Sequence, residues 1–326
     1  MRYLIALLLA AAAGSVYAQT GSAGPAVWPA RPVRIIVPFP PGGGAEVAAR
    51  FLASHYTQVF GQSFVIDNRP GGNTLIGTEA AAKSAPDGYT LLLTGGSTMS
   101  IQPLVFAGKL PYDPLGDFAP VTMVSHFPFF LVTPAALPVN TLGELVAYVK
   151  ARPGQVSYAS NGSGTMAHLG MEMLKNATGM DLLHVPYKGF ALALPDLLSG
   201  RISVMLADLA PVGAQLRAGS LRALAATSPQ RSDFLPDVPT IAELGSPGYE
   251  IDVWFGLFAP AKTVPEIVAR LNAEARKYLA SPEAIEAFRK VGHEPLFAAP
   301  EAVRARIVAE QKSFAKAVKD AGLKPE

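Results

Sequence analysis

The chain has 326 residues, with 27 Lys plus Arg against 25 Asp plus Glu, a formal charge of +2 and no cysteine. The missing cysteines exclude a lipid-modified cysteine anchor, a disulfide framework, thiolate metal sites and a cysteine nucleophile. The basic residues are scattered, so neither nucleic acid nor an anionic membrane surface is expected as a partner, and the length suffices for two domains with buried cores.

Met1-Arg2-Tyr3 leads into an apolar run from Leu4 to Ala13, and Val16-Tyr17-Ala18 precede Gln19. One positive charge, a short apolar core and small residues at the cleavage positions predict a secretory signal peptide over 1–18, cut after Ala18. Gly14-Ser15 interrupt the run too early for a membrane span. A linker follows over 19–27, and the product should be soluble and exported.

The first element after it is the most informative. Val33 to Val37 is a β-branched run; Pro38-Phe39-Pro40-Pro41-Gly42-Gly43-Gly44 opens a loop; Glu46 to Phe60 has a helical pattern. Glycines let a ligand approach the main chain, and the unpaired N–H groups of a helix start favour an anion. Phosphate is disfavoured. A P-loop needs Lys-Ser/Thr after its last glycine, where Ala45-Glu46 stand, and the dinucleotide fingerprint needs a glycine at Val47. Glu46 would also repel a multiply charged pyrophosphate, so a carboxylate is the expected anion. A plain Pro/Gly turn is the alternative.

Further strands are expected at Phe64–Asp67, Tyr89–Leu93, Val121–Ser125, Phe129–Thr133, Val156–Ser160, Leu183–Val185, Ile202–Leu206, Leu221–Ala226 and Trp254–Ala259. Helical patterns at Leu142–Arg152, Met166–Thr178 and Ala191–Leu198 lie between them, with Gly61 and Gly179 where C-terminal caps belong. Apolar strands separated by helices indicate mainly parallel sheets covered on both faces. From Pro265 to Leu323 the pattern is nearly all helical. Turn formers near Leu110–Pro114 and Pro236–Gly248 are expected to lead into two crossings between lobes. The first lobe comprises 28–125 and 251–326, the second 126–250.

In open parallel sheets ligands sit beyond the carboxyl ends of the strands. The loops there are Pro38–Gly44, Thr94–Thr98, Asn161–Thr165, Pro186–Gly189 and Ala207-Asp208, which are rich in small residues and hydroxyls and poor in charge. Each has a plainer reading: Gly162–Thr165 as a turn with a helix cap, Lys188 as a solvated lysine, Asp208 as a helix cap. Catalysis has less support. Gly95-Gly96-Ser97-Thr98-Met99 misses the nucleophile elbow at Met99. The histidines, His55, His126, His168, His184 and His293, are far apart and lack metal-ligand spacing, and His168 and His184 read as packing residues. A Ser97–His168–Asp208 triad can be written, but spacing does not select it.

The same loops carry a family resemblance. Trp28-Pro29, Arg31-Pro32-Val33-Arg34-Ile35-Ile36-Val37-Pro38-Phe39, Pro41-Gly42-Gly43, Asn68-Arg69-Pro70-Gly71, Ala85-Pro86-Asp87-Gly88-Tyr89, Leu110-Pro111-Tyr112-Asp113-Pro114, His184-Val185-Pro186-Tyr187-Lys188-Gly189, Leu221–Ala225, Asp237-Val238-Pro239-Thr240 and Trp254–Pro260 together resemble the TctC-like Bug family. Those are the periplasmic substrate-binding proteins of tripartite tricarboxylate transporters. The resemblance implies an α/β, two-lobed periplasmic-binding-protein-like fold (type II) that closes on a small organic carboxylate and delivers it to membrane permease subunits. It implies no enzymatic activity, no cofactor and no metal, and a monomer is expected. Carried over by position, the ligand site would draw on Phe39, Pro40, Gly42, Gly43, Ser97, Asn161, Gly162, Thr165, Pro186, Tyr187, Lys188 and Asp208. Three positions depart from the family pattern. Glu46 stands where aspartate is usual, Gly71–Gly77 has a different order, and the acid of the second lobe is Asp208 with Ala207 before it. The last departure puts amino-acid ligands in doubt. An exported hydrolase built on Ser97 and a sensor presenting its ligand to a membrane signalling protein are the alternative functions.

Overall fold

A computed structural model describes residues 28–324, so the expected signal peptide and linker lie outside the described residues. The chain opens as β1 (Val33–Val37), α1 (Gly44–Phe60), β2 (Phe64–Asn68), α2 (Leu75–Ala82) and β3 (Thr90–Gly95). A π-helical turn at Ser97–Ile101 runs into the short α3 (Gln102–Val105), and β4 (Phe118–Pro128) follows. The middle of the chain forms β5 (Phe130–Pro134), α4 (Leu142–Lys150), β6 (Ser157–Ser160), α5 (Met166–Thr178), β7 (Leu183–Pro186), α6 (Phe190–Leu198), β8 (Val204–Ala207), α7 (Leu209–Arg217) and β9 (Leu221–Ala226). The last part is β10 (Asp252–Pro260), α8 (Pro265–Leu279), α9 (Pro282–Arg289), β11 (Glu294–Pro295) and α10 (Pro300–Asp320).

Local chemistry accounts for most boundaries. Gly61 and Gly179 take left-handed φ of 69° and 70° and return their N–H groups to Thr57 and Lys175, as expected of C-terminal caps. Thr141 caps α4 by accepting the Glu144 N–H at 3.1 Å, while the Glu144 carboxylate accepts the Asn140 N–H at 2.6 Å. Prolines 265, 282 and 300 open α8, α9 and α10, where a missing N–H costs nothing. Helix α2 is absent from the sequence reading. Its apolar residues show no one-sided spacing, and a Gly-Gly-Asn-Thr turn precedes it.

The strands form two sheets, ordered β11-β4-β10-β3-β1-β2 and β7-β6-β8-β5-β9. Both are mixed, which refines the expectation of mainly parallel sheets. The βα units give the parallel pairs β1–β2, β1–β3, β6–β7 and β6–β8. β10 is antiparallel to β3 and β4, and β5 is antiparallel to β8 and β9, because these strands adjoin the passages between sheets.

The chain changes sheet at one residue, Phe129, and returns between Ala226 and Asp252. The Leu110–Pro114 stretch lies well before the first passage, since β4 continues past Ser125 to Pro128. The two passages are bonded to each other. Thr227, fully buried, accepts the Phe129 N–H with Oγ1 at 2.9 Å and donates the same hydroxyl to Ile251 O at 2.8 Å. Tyr56 and Trp254 are among the largest fully buried side chains of the core. Each such side chain contributes about 1.5–3 kcal/mol by leaving water.

Candidate functional site

Between the sheets lies a cleft with about 590 Å³ of space between its walls, part of it open to solvent. Phe39, Pro40, Gly43, Ser97, Asn161 and Asp208 of the expected residues line it. The others do not. Gly42 is exposed and turned by a φ of +88°, its N–H given to the Glu46 carboxylate at 2.7 Å. Gly162 and Thr165 form the cap of α5, with Thr165 Oγ1 donating to Gly162 O at 2.7 Å and accepting the His168 N–H. Pro186 and Lys188 are exposed, and the Tyr187 hydroxyl donates to Asp196 at 2.7 Å. Loss of solvent around it, with that bond second, raises the Tyr187 phenol to about 12.

The glycine loop differs from a simple open anion seat. Glu46 is buried, takes the Gly42 N–H and pairs with Arg50, so its charge is spent inside the loop. The Asp208 carboxyl, which comes from the other sheet, faces the Gly44 backbone at the start of α1. One internal carboxyl group therefore takes a loop N–H, and a second faces the start of α1, where the sequence suggested a ligand.

Asp208 sits at the N-cap position of α7 yet its side chain makes no capping bond. It faces Gly44 instead, and a Cβ on Gly44 would stand 2.5 Å from Oδ2. Burial drives its carboxyl up to about 7, against the opposing pull of the Gly44 N–H. His293 Nε2 lies 4.0 Å from Oδ2 and is fully buried, with its ring stacked on Phe127 at 4.0 Å. Burial, with His126 nearby, holds the imidazole down at about 3. The separation is that of an ion pair, but both groups are driven towards their neutral forms, and an uncharged pair is what burial favours. Asp208 Oδ1, His293 Nε2 and Asn161 Oδ1 are all buried and without a hydrogen-bond partner.

Ser97 Oγ accepts the Met166 N–H at 2.9 Å, bridging the sheets at the N-terminus of α5. His168 Nδ1 accepts the Gly164 N–H at 3.1 Å and its ring stacks on His184 at 3.8 Å. The His168–His184 stack shows two histidines adjacent in space that stand well apart in the chain.

Much of the wall was missed in the sequence. Phe127, Phe129, Phe190, Trp254 and Phe255 line the cleft along with backbone at Gly95-Gly96 and Gly189. Trp254 is set by the last helix: its indole N–H donates to Glu310 of α10 at 2.7 Å, and Glu310 also accepts the Ser100 hydroxyl at 2.7 Å. Among the described residues no lysine or arginine lines the cleft. The starts of α1 and α6, the N-cap of α7 and the loop entering α5 all border it. Such helix starts supply partial positive charge without a cation.

Two lobes joined by paired passages, with a ligand-sized cleft between them, define a two-lobed solute-binding protein. The family model described as "Tripartite tricarboxylate transporter family receptor" matches residues 48–323, and the chain belongs to that family. It is similar to Protein BugT of Bordetella pertussis, with 41% identity over 319 residues, 97% of this chain and 98% of the relative. Among solved structures it is similar to R. palustris Rpa4515 with adipate (TM-score 0.89, 37% identity, covering 92% of this chain and all of that one). MatC from Rhodopseudomonas palustris with bound malate is also similar (TM-score 0.83, 28% identity, covering 89% of this chain and all of that one). The family and these neighbours are binding proteins.

Proposed function

We propose that the protein is an exported receptor that closes on a small organic carboxylate and hands it to a membrane permease of the tripartite tricarboxylate type. The observation that carries this reading is the interlobe cleft bordered by helix starts and, among the described residues, lined by no basic side chain. Similar proteins with adipate and malate support it. Phe39, Pro40, Gly43, Ser97, Asn161 and Asp208 contact the ligand, while Gly42, Gly162, Thr165, Pro186, Tyr187 and Lys188 shape the loops behind them. The lobes follow the two sheets, 28–128 with 252–324 and 130–226, with the passages at Phe129 and 227–251 between them. The mature monomer works in the periplasm after cleavage behind Ala18.

A thermal-shift screen against mono-, di- and tricarboxylates, amino acids and phosphorylated compounds tests this. Ligand at 100 times its Kd adds about 2.7 kcal/mol, a shift of a few degrees at this size. A shift from carboxylates is expected. Phosphorylated compounds giving the only shift would overturn it.

A further inference from the structure

The aromatic residues of the cleft form one continuous chain of rings. Phe39 meets Phe255 with centroids 6.3 Å apart, Phe255 meets Phe127 at 5.3 Å, Phe127 meets Phe129 at 6.1 Å, and Phe129 meets Phe190 at 5.5 Å. Interplanar angles of 62°, 45°, 64° and 81° make it a herringbone. It starts beside β1, crosses the passage at Phe129 and ends on α6, so both lobes contribute edges and faces to the same space. Tilted and edge-to-face contacts are the ones aromatic rings favour, and a flat ring entering this wall extends the pattern. A flexible alkyl chain makes no such contacts and loses rotor freedom on being held.

The polar part of the wall points the same way. Among the described residues Asp208 is the one ionisable side chain on the wall, and burial drives it towards its neutral form, so most of the wall is ring and backbone. Ser97 and Asn161 supply a hydroxyl and an amide on the same wall, groups suited to a carboxylate.

Resting on the receptor reading above, we propose that the cleft selects a carboxylate with a flat aromatic body over flexible aliphatic di- and tricarboxylates. The specificity-determining side chains are Phe127, Phe129 and Phe190, which close the ring chain from the passage to the second lobe.

Calorimetry on the whole purified protein at pH 7 tests the selection with benzoate and phenylacetate against adipate, malate and citrate. The better aromatic acid is expected to bind at least tenfold tighter than any aliphatic one. Phe190→Leu, which keeps apolar bulk and removes the ring, should weaken the aromatic acid at least fivefold more than it weakens adipate. An aliphatic acid binding as tightly as the best aromatic acid overturns the selection and leaves the receptor reading standing. Equal weakening of both classes by Phe190→Leu in a folded variant also overturns it. Absence of binding by all five acids removes the receptor reading itself. The wild-type comparison decides the matter if the variant does not fold.

Discussion

The Gly44 N–H and the Asp208 carboxyl meet across the cleft, one from each lobe, at a spot where any Cβ on residue 44 would stand 2.5 Å from the acid. A protein carboxyl thus occupies the start of α1, the place a ligand anion would take in an open loop. His293 is packed beside Asp208, with Nε2 4.0 Å from Oδ2.

Asp208→Asn separates two opposed titrations. The folded state raises Asp208 from 3.8 to about 7, so the stability linked to its proton is full below 3.8 and is lost as the pH rises towards 7. His293 is lowered from 6.5 to about 3, so its share is full above 6.5 and is lost as the pH falls. Between 3.8 and 6.5 the two slopes cancel. Urea melts of Asp208→Asn should therefore show stability rising with pH across that window, and above pH 7 the variant should exceed wild type by up to about 4 kcal/mol. Profiles of the same shape for both proteins would count against the buried neutral pair.

Gly43→Val tests the loop as part of the site. Gly43 has φ −97° and a Cβ there meets nothing within 4 Å, so valine is tolerated by the fold while projecting into the space at the cleft wall. Carboxylate affinity should fall at least tenfold, about 1.4 kcal/mol, with an unchanged urea midpoint. Normal affinity in the folded variant removes this loop from the site.

Gly95→Ala should act on the fold. The Cβ would lie 2.0 Å from Trp254 O on the neighbouring strand, a backbone atom that cannot turn aside. The β3–β10 pairing must shift, and a loss of about 3 kcal/mol or more is expected in urea melts. Stability near wild type would show that the two strands are not held this closely.

Thr227→Val keeps the shape and removes the hydroxyl that joins the passages. Phe129 N–H loses its partner and so does Ile251 O, both beside a fully buried residue. The cost should be about 1–3 kcal/mol, and solution scattering should show a different radius of gyration change on ligand addition. A variant that matches wild type in both measurements would assign Thr227 no part in joining the lobes.

Elements with local causes were legible in the sequence. Val33 to Phe60 reads correctly as strand, loop and helix because its β-branched run, its prolines and glycines and its cap at Gly61 act within a few residues. The partners of the loop were not legible, since nothing near Gly44 announces Asp208 or His293. The aromatic wall was hidden for a related reason. Phe127 and Phe255 look like core residues of apolar strands, and only antiparallel pairing brings them to one rim. Phe190 looks like the first residue of a helix, and its neighbour Phe129 lies on the passage between sheets.

The position of β10 bears on the order in which the molecule can be assembled. It lies between β3 and β4 although it is made of residues 252–260, so the first three strands synthesised wait with an unsatisfied inner edge. The strands β5 to β9 all lie within 130–226 and need nothing from outside that stretch to pair. The middle of the chain can mature while both ends are incomplete. The receiving wall comes last, when β10 slots in and Glu310 of the final helix fastens Trp254 behind it. A chain cut short before α10 would keep a finished second lobe and lack the fastening that holds one side of the cleft.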